Sequence, residues 1–210
     1  MKKQLSLLLA VVMSLLLVSC ASSPSSEDNK LDKSAEFSRG IIEGDVYKNN
    51  FLGFEFTKPE SWIYSTDEEI AALLNMSIDA FLDENFKKVL ETNQTVYDMM
   101  VVDTITRSNI GVSYENLLMA SASNITEKQY IEVLKNQLSS ISGLTVSFPE
   151  EYETAMLGKT EFTKLVCTVN SQGVSMKQVY YFCKLNGFMC NVILTIPSGY
   201  TVEQIEAMFK

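Results

Sequence analysis

The sequence predicts an α+β fold: one domain built on an antiparallel β-sheet of about six or seven strands, with helices packed on both faces. Three observations predict it. Apolar and polar residues alternate in several separate stretches, the period of two that a strand with one buried face requires. Residues 160–170, 174–185 and 188–196 are separated by Ser171-Gln172-Gly173 and Asn186-Gly187, short turn sequences that join antiparallel neighbours. Helical stretches fall between groups of strands instead of between every pair, which separates α+β from a parallel α/β arrangement.

Taken in order, residues 46–57 read as a hairpin. Asn49-Asn50 tolerates the positive φ of a tight turn, and Phe54 and Phe56 alternate with Glu55 and Thr57. Lys58-Pro59-Glu60-Ser61-Trp62 leaves the sheet, because proline has no N–H to give a ladder. Thr66-Asp67-Glu68-Glu69 is a capping box, in which Thr66 accepts from the Glu69 amide while Glu69 reaches back; a short helix follows through Leu74. Ser77 caps a second helix with Ile78, Phe81, Leu82, Val89 and Leu90 on one side. Residues 95–103 and 110–115 are strands, with Arg107-Ser108-Asn109 as the turn between them.

Thr126-Glu127-Lys128-Gln129 is a second capping box, opening a helix that carries Tyr130, Leu134, Gln137, Leu138 and Ile141 along one side. Gly143 ends it as a left-handed cap. Strands at 144–148 and 154–157 precede the long meander, and Gly158-Lys159 turns the second of them into it. Thr201-Val202-Glu203-Gln204, a third capping box, opens a terminal helix with Val202, Ile205, Met208 and Phe209 inward.

Ahead of this domain stands a different kind of sequence. Lys2 and Lys3 make a positive start, and Leu5 to Val18 is uncharged and broken only by Ser6 and Ser14. That run is shorter than the ~20 residues a membrane span needs, and suits the apolar core of a cleavable signal. Its end, Leu17-Val18-Ser19-Cys20, resembles the bacterial lipobox. The resemblance implies a signal peptide over residues 1–19, cleavage before Cys20, and a diacylglycerol on its thiol. Acyl chains contribute about 0.8 kcal/mol per buried methylene, so two or three of them hold a protein on a membrane essentially permanently. Residues 20–40 then form the lipidated cysteine and a flexible tether, since Ser, Pro and charge dominate and Leu31 and Phe37 are the only large apolar side chains. The folded domain spans 41–210.

Composition narrows the function. Removing residues 1–19 takes away two lysines and no acids, so Lys+Arg falls from 17 to 15 against 26 Asp+Glu, a net charge of −11. Nucleic acid is therefore an unsuitable partner, because its phosphates need Lys and Arg to displace their counterions. Anionic headgroups repel such a surface, which leaves the membrane lipid to be held through acylated Cys20. The chain contains no histidine. That removes the Ser-His-Asp and Cys-His catalytic groupings and the commonest metal ligand. Cys167, Cys183 and Cys190 have no CxxC spacing, so neither a zinc site nor a thioredoxin-like motif is expected. No catalytic residue, cofactor or metal site is predicted.

A wider resemblance rests on the order of elements. An aromatic hairpin runs into Pro59-x-x-Trp62, then Ile110 to Tyr114 and a helix. Leu157-Gly158-Lys159 enters a meander that closes on Leu194-Thr195-Ile196-Pro197 before a short helix. The pattern resembles the PsbP-like α/β/α sandwich of the extrinsic photosystem protein and of the small nuclear-import factor that binds the GTPase Ran. The resemblance implies a sheet between two helical layers and a non-enzymatic role, since members of that group act by docking onto larger partners.

Two residues invite a geometric check. If Asn186-Gly187 is a two-residue loop, Cys183 lies directly opposite Cys190. An exported protein meets an oxidising space in which such a pair can form a disulfide. The count from the turn places it at a hydrogen-bonded position, with Cα atoms ~5.5 Å apart and less comfortable S–S geometry. Cys190 also shares a face with Phe188, Val192, Leu194 and Ile196, which reads more readily as two buried free thiols.

Other candidates have plainer readings. Trp62 is an aromatic plug at the core edge or a stacking residue for a ligand. Asp67-Glu68-Glu69 and Glu150-Glu151 with Glu153 lack the spaced carboxylates and glycine turn of a calcium loop. Asn75-Met76-Ser77, Asn93-Gln94-Thr95 and Asn124-Ile125-Thr126 match glycosylation acceptors, a chance match in a chain with a bacterial lipobox. Met99, Met100, Met119, Met156, Met176 and Met189 fill the core or line an adaptable surface.

The function expected is that of an extracytoplasmic, membrane-anchored lipoprotein, acting as a non-catalytic docking module for a protein or envelope partner. Two rivals stand beside it: a small-ligand or transporter-associated binding protein, and a hydrolase using carboxylates alone.

Overall fold

The computed structural model describes residues 37–74 and 83–210. The expected signal peptide, Cys20, the expected tether through residue 36 and the expected start of the second helix at Ser77, with Ile78, Phe81 and Leu82, lie outside the described residues. Eleven strands and four helices are found among them, in the order β1 (Ile41–Glu43), β2 (Val46–Asn49), β3 (Phe54–Thr57), β4 (Trp62–Tyr64), α1 (Asp67–Leu73), α2 (Asp83–Thr92), β5 (Thr95–Asp103), β6 (Asn109–Asn116), α3 (Glu127–Ser140), β7 (Leu144–Ser147), β8 (Glu153–Leu157), β9 (Thr160–Ser171), β10 (Val174–Leu185), β11 (Phe188–Ile196) and α4 (Val202–Glu206).

Every strand pairing is antiparallel, and the strands divide into two sheets. The larger runs β4-β5-β6-β11-β10-β9-β7, with β8 sharing the outer edge of β9. The smaller runs β1-β2-β3. This overturns the expectation of an α+β fold with one sheet of six or seven strands between two helical layers: the described residues are mostly β, in two sheets of three and eight strands with four helices. Helix α3 lies across β7, β9 and β10, and α2 lies along β5 and β6. Against the other face of the large sheet packs the small sheet, with the five-residue α4 at its margin, where Glu206 meets Tyr181 and Lys164. There Phe54 of β3 meets Phe162 of β9 with ring centroids 6.5 Å apart, and Phe56 meets Trp62 at 6.2 Å.

The physical reason is local. Residues 46–57 do form a hairpin, but Phe54 and Phe56 turn their buried side onto the large sheet, so the hairpin packs on that sheet instead of extending it. The Pro59 break lets the chain cross from one layer to the other before Trp62. The turn also differs in detail: Asn49 is a strand residue, and Gly53, not Asn49-Asn50, takes the positive φ, at 69°. The other turns fall where expected, with Asn186 and Gly187 at φ 49° and 84°. All three capping boxes form, at Thr66, Thr126 and Thr201, each satisfying otherwise orphaned helical amides.

The packed chain begins before Ile41. Phe37 sits with its ring centroid 5.0 Å from Phe51 and 5.1 Å from Tyr114, and Arg39 reaches the carboxylates of Asp67 and Asp98.

Candidate functional site

A closed polar network holds the two sheets together. The register of β5 against β6 shifts between Tyr97 and Met99. Asp98 is the extra residue of this bulge, and its carboxylate turns to the face that carries Tyr114. Asp98 Oδ2 accepts from Tyr47 Oη at 2.6 Å, Gly40 N at 3.0 Å, Asn49 Nδ2 at 3.1 Å and Tyr114 Oη at 3.1 Å. Oδ1 accepts from Arg39 Nε at 3.3 Å. Asn49 Nδ2 also donates to Tyr114 Oη at 2.7 Å, and Asn49 Oδ1 accepts from Leu52 N at 2.7 Å. Burial, the largest influence, pushes Asp98 above the ordinary carboxylate range, against the hydrogen bonds from Tyr47 and Gly40 and the Arg39 charge. Burial likewise raises Tyr47 and Tyr114, with the Asp98 charge adding to it. The carboxylate's oxygens are taken up by donors of the chain itself, so the network clamps the two sheets together.

A second polar group lies on the opposite face. Tyr97, Ser113 and Asn191 are register partners across β5, β6 and β11, and Thr195 lies farther along β11. All four are buried, and Tyr97 Oη, Ser113 Oγ, Asn191 Oδ1 and Thr195 Oγ1 find no hydrogen-bond partner among the described residues. Beside them Tyr130 of α3 donates to the buried Glu115, which also accepts from Gln94 Nε2 at 3.2 Å.

The two ends of the large sheet differ from its interior. At one end, Asn116 Oδ1 accepts from the amides of Leu118 and Met119, at 3.1 and 3.2 Å, and Leu117 N donates to Gly187 O at 3.1 Å. These bonds fix a turn on which Leu118 is 76% exposed and Met119 46%. At the other end, Asp103 accepts from Ile105 N at 3.2 Å and Thr106 N at 3.0 Å. The turn so held exposes 78% of Ile105. Thr104 N and Oγ1 donate to Ser61 O, at 3.0 and 2.9 Å, tying this turn to the approach of β4, where Ile63 is 58% exposed.

The residues singled out from sequence fall into place around this frame. Cys183 and Cys190 are register partners, as the turn count requires; both are buried, and neither is bonded to the other. Burial pushes Cys183 up to about 12, with the Glu127 charge adding to it, and burial likewise raises Cys190 well above its ordinary value. Trp62 is buried and donates from Nε1 to Tyr200 Oη at 3.1 Å. Asp67 pairs with Arg39, and Glu153 lies 3.4 Å from Lys164 Nζ. Among the described residues no group of three or more acids or cysteines is placed to hold a metal ion. Met99, Met176 and Met189 are core residues, whereas Met119 and Met156 are exposed.

Arg39, Tyr47, Asn49, Asp98 and Tyr114 were not found from sequence, nor were Tyr97, Ser113, Asn191 and Thr195. The available signal was a polar residue inside an otherwise apolar strand, as in Val96-Tyr97-Asp98-Met99 or Cys190-Asn191-Val192. No family model matches the chain, and no curated protein matches it.

Proposed function

We propose that the protein is a lipid-anchored, extracytoplasmic docking module that holds a protein partner and performs no chemistry of its own. One observation carries the docking half: the turn bearing Ile105 holds a large apolar side chain in solvent by internal hydrogen bonds. A rigid apolar side chain loses little conformational freedom on binding, and such anchors contribute most of the affinity of protein interfaces. Ile63 nearby extends the patch. Meanwhile Cys167, Cys183, Cys190, Tyr47, Tyr97 and Tyr114 are buried, and the buried Asp98 is committed to internal donors. The anchoring half rests on Leu17-Val18-Ser19-Cys20 and its flanks.

The test is crosslinking and pull-down of the full lipidated chain from its own envelope, comparing wild type, Ile105→Asp and Met156→Asp. Docking requires one reproducible partner, lost with Ile105→Asp and kept with Met156→Asp, an exposed position on β8. Recovery of no partner, or equal recovery from both variants, overturns the reading.

One observation favours the small-ligand rival. The inward polar atoms of Tyr97, Ser113, Asn191 and Thr195 are the kind of groups that orient a small polar molecule.

A further inference from the structure

We infer that the turn carrying Leu118 and Met119 is a lipid contact: it rests in the interface of the bilayer that holds Cys20, and sets the domain upright with Ile105 outward. The inference rests on the anchored reading above. Three independent observations meet at one end of the large sheet. The first is where the anchored chain joins the domain. Phe37, the first described residue, packs against Tyr114, Phe51 and Phe188, beside the turn formed by Asn186 and Gly187. Leu117 N donates to that same Gly187, so the Leu118 turn and the entering chain share one end.

The second observation is charge. Residues 117–126 read Leu-Leu-Met-Ala-Ser-Ala-Ser-Asn-Ile-Thr, ten positions without a charged side chain in a mature chain of net charge −11. An acid-rich surface is repelled by anionic headgroups, and an uncharged loop is the part of it that can approach them. The third is shape. The loop folds part of its apolar content inward and leaves part outside: Leu117, Ala120, Ala122 and Ile125 are buried, and Leu118 and Met119 stand out on a backbone pinned by Asn116.

Tether length favours this end as the one that meets the membrane. Residues 21–36 are sixteen, and the tether expected from their composition would have a root-mean-square reach of about 22 Å. Strand β6, the eight residues that join the Ile105 turn to the Leu118 turn, runs about 26 Å. For the opposite end to touch the same bilayer, the tether would have to extend past its mean reach.

The test uses the full mature lipidated chain, purified from membranes and reconstituted in phosphatidylcholine–phosphatidylglycerol vesicles whose acyl chains are brominated, as Leu118→Trp, Met119→Trp and Ile105→Trp. Native Trp62 is buried and gives the same background in all three. The expected result is a blue shift and loss of emission for Leu118→Trp and Met119→Trp on reconstitution, with Ile105→Trp unchanged. Equal responses at positions 118 and 105, or none at either, overturn the inference. So does a shift of Leu118→Trp that follows protein concentration in detergent, which marks a contact between copies. Vesicle flotation separates the two failures. If the chain does not float, or Cys20→Ala floats equally well, the anchored reading falls and this inference with it. If the chain floats only with Cys20 intact but Leu118→Trp stays bright, the inference alone is wrong.

Discussion

Tyr47 of the small sheet donates its phenolic hydrogen to Asp98 of the large sheet at 2.6 Å, inside the protein. This bond and its neighbours from Arg39, Gly40, Asn49 and Tyr114 join three parts of the chain that local sequence does not connect. Asp98→Ala strands those donors in a buried space, so the expected loss of folding stability is about 3–5 kcal/mol. Tyr47→Phe removes one donor and keeps the ring packing, with an expected loss of about 1–2 kcal/mol. Urea unfolding at pH 7 checks both. An Asp98→Ala loss no larger than that of Tyr47→Phe would show that the network does not act as a clamp.

The same carboxylate predicts a pH dependence. Burial raises the Asp98 pKa in the folded protein, whereas in the unfolded chain an aspartate titrates at about 3.9. Between the two values the folded state binds more protons, so stability falls as pH rises. The contribution is fully present below the unfolded value and is lost as pH rises through the raised one. Asp98→Asn cannot titrate and mimics the protonated form. The difference in urea midpoint, wild type minus Asp98→Asn, is therefore expected to fall as pH rises from about 4. A difference that is flat or rises with pH contradicts the assignment of Asp98 as a carboxyl held above its ordinary range.

What could be read from the chain was whatever depends on near neighbours. Thr126 with Gln129, Asn186 with Gly187, and the alternation along β10 and β11 each declare themselves within a few residues. Which sheet a strand joins is not a local property. Phe54 and Phe56 show a buried side but do not say whether it faces across a ladder or onto a second sheet, and the sandwich with two helical layers failed there. The Asp98 network was invisible for the same reason, since Asn49 and Tyr114 are 65 positions apart. Phe37 was read into the tether because one aromatic in a polar stretch carries no period, yet it packs against three other rings.

The opposed cysteines lead to a prediction about reactivity. The nucleophile is the thiolate, and burial makes it scarce at Cys183, Cys190 and Cys167 alike. Iodoacetamide at pH 8 is expected to leave all three unmodified in the folded protein. After unfolding without reductant, mass spectrometry is expected to show all three alkylated. One alkylated cysteine in place of three would mean that Cys183 and Cys190 had bridged, and that the hydrogen-bonded pair accommodates a disulfide after all.

Gly158 tests how the C-terminal residues are seated. Its φ is +60°, and a Cβ built there lies 2.6 Å from both Lys210 O and Phe54 Cβ. Lys210 and Glu55 exchange backbone hydrogen bonds at 2.8 and 2.9 Å just beside it. Gly173 has a φ of +81° with open space around the added atom. Gly173→Ala is expected to cost about 1 kcal/mol from backbone strain alone, and Gly158→Ala at least twice that, about 2–4 kcal/mol, because backbone must also move. Thermal or urea unfolding of the pair separates strain from collision; equal losses would show that Lys210 gives way freely.

The buried hydroxyls on the α3 side decide between the two binding readings. Ser113 Oγ and Thr195 Oγ1 are buried without a hydrogen-bond partner among the described residues, and a buried polar group without one costs about 1–3 kcal/mol. Thr195→Val keeps the shape and removes the hydroxyl, and Ser113→Ala removes it at the cost of one small atom. If the domain docks a protein through its exposed turns, both variants are expected to match wild type or gain about 1 kcal/mol in urea unfolding. They are also expected to recover the same partner in pull-down. Losses of about 1 kcal/mol or more in both would mean that the hydroxyls hold a bound molecule inside the protein. That outcome favours the small-ligand reading, because it gives Tyr97, Ser113, Asn191 and Thr195 a common partner that the packing of the chain does not supply.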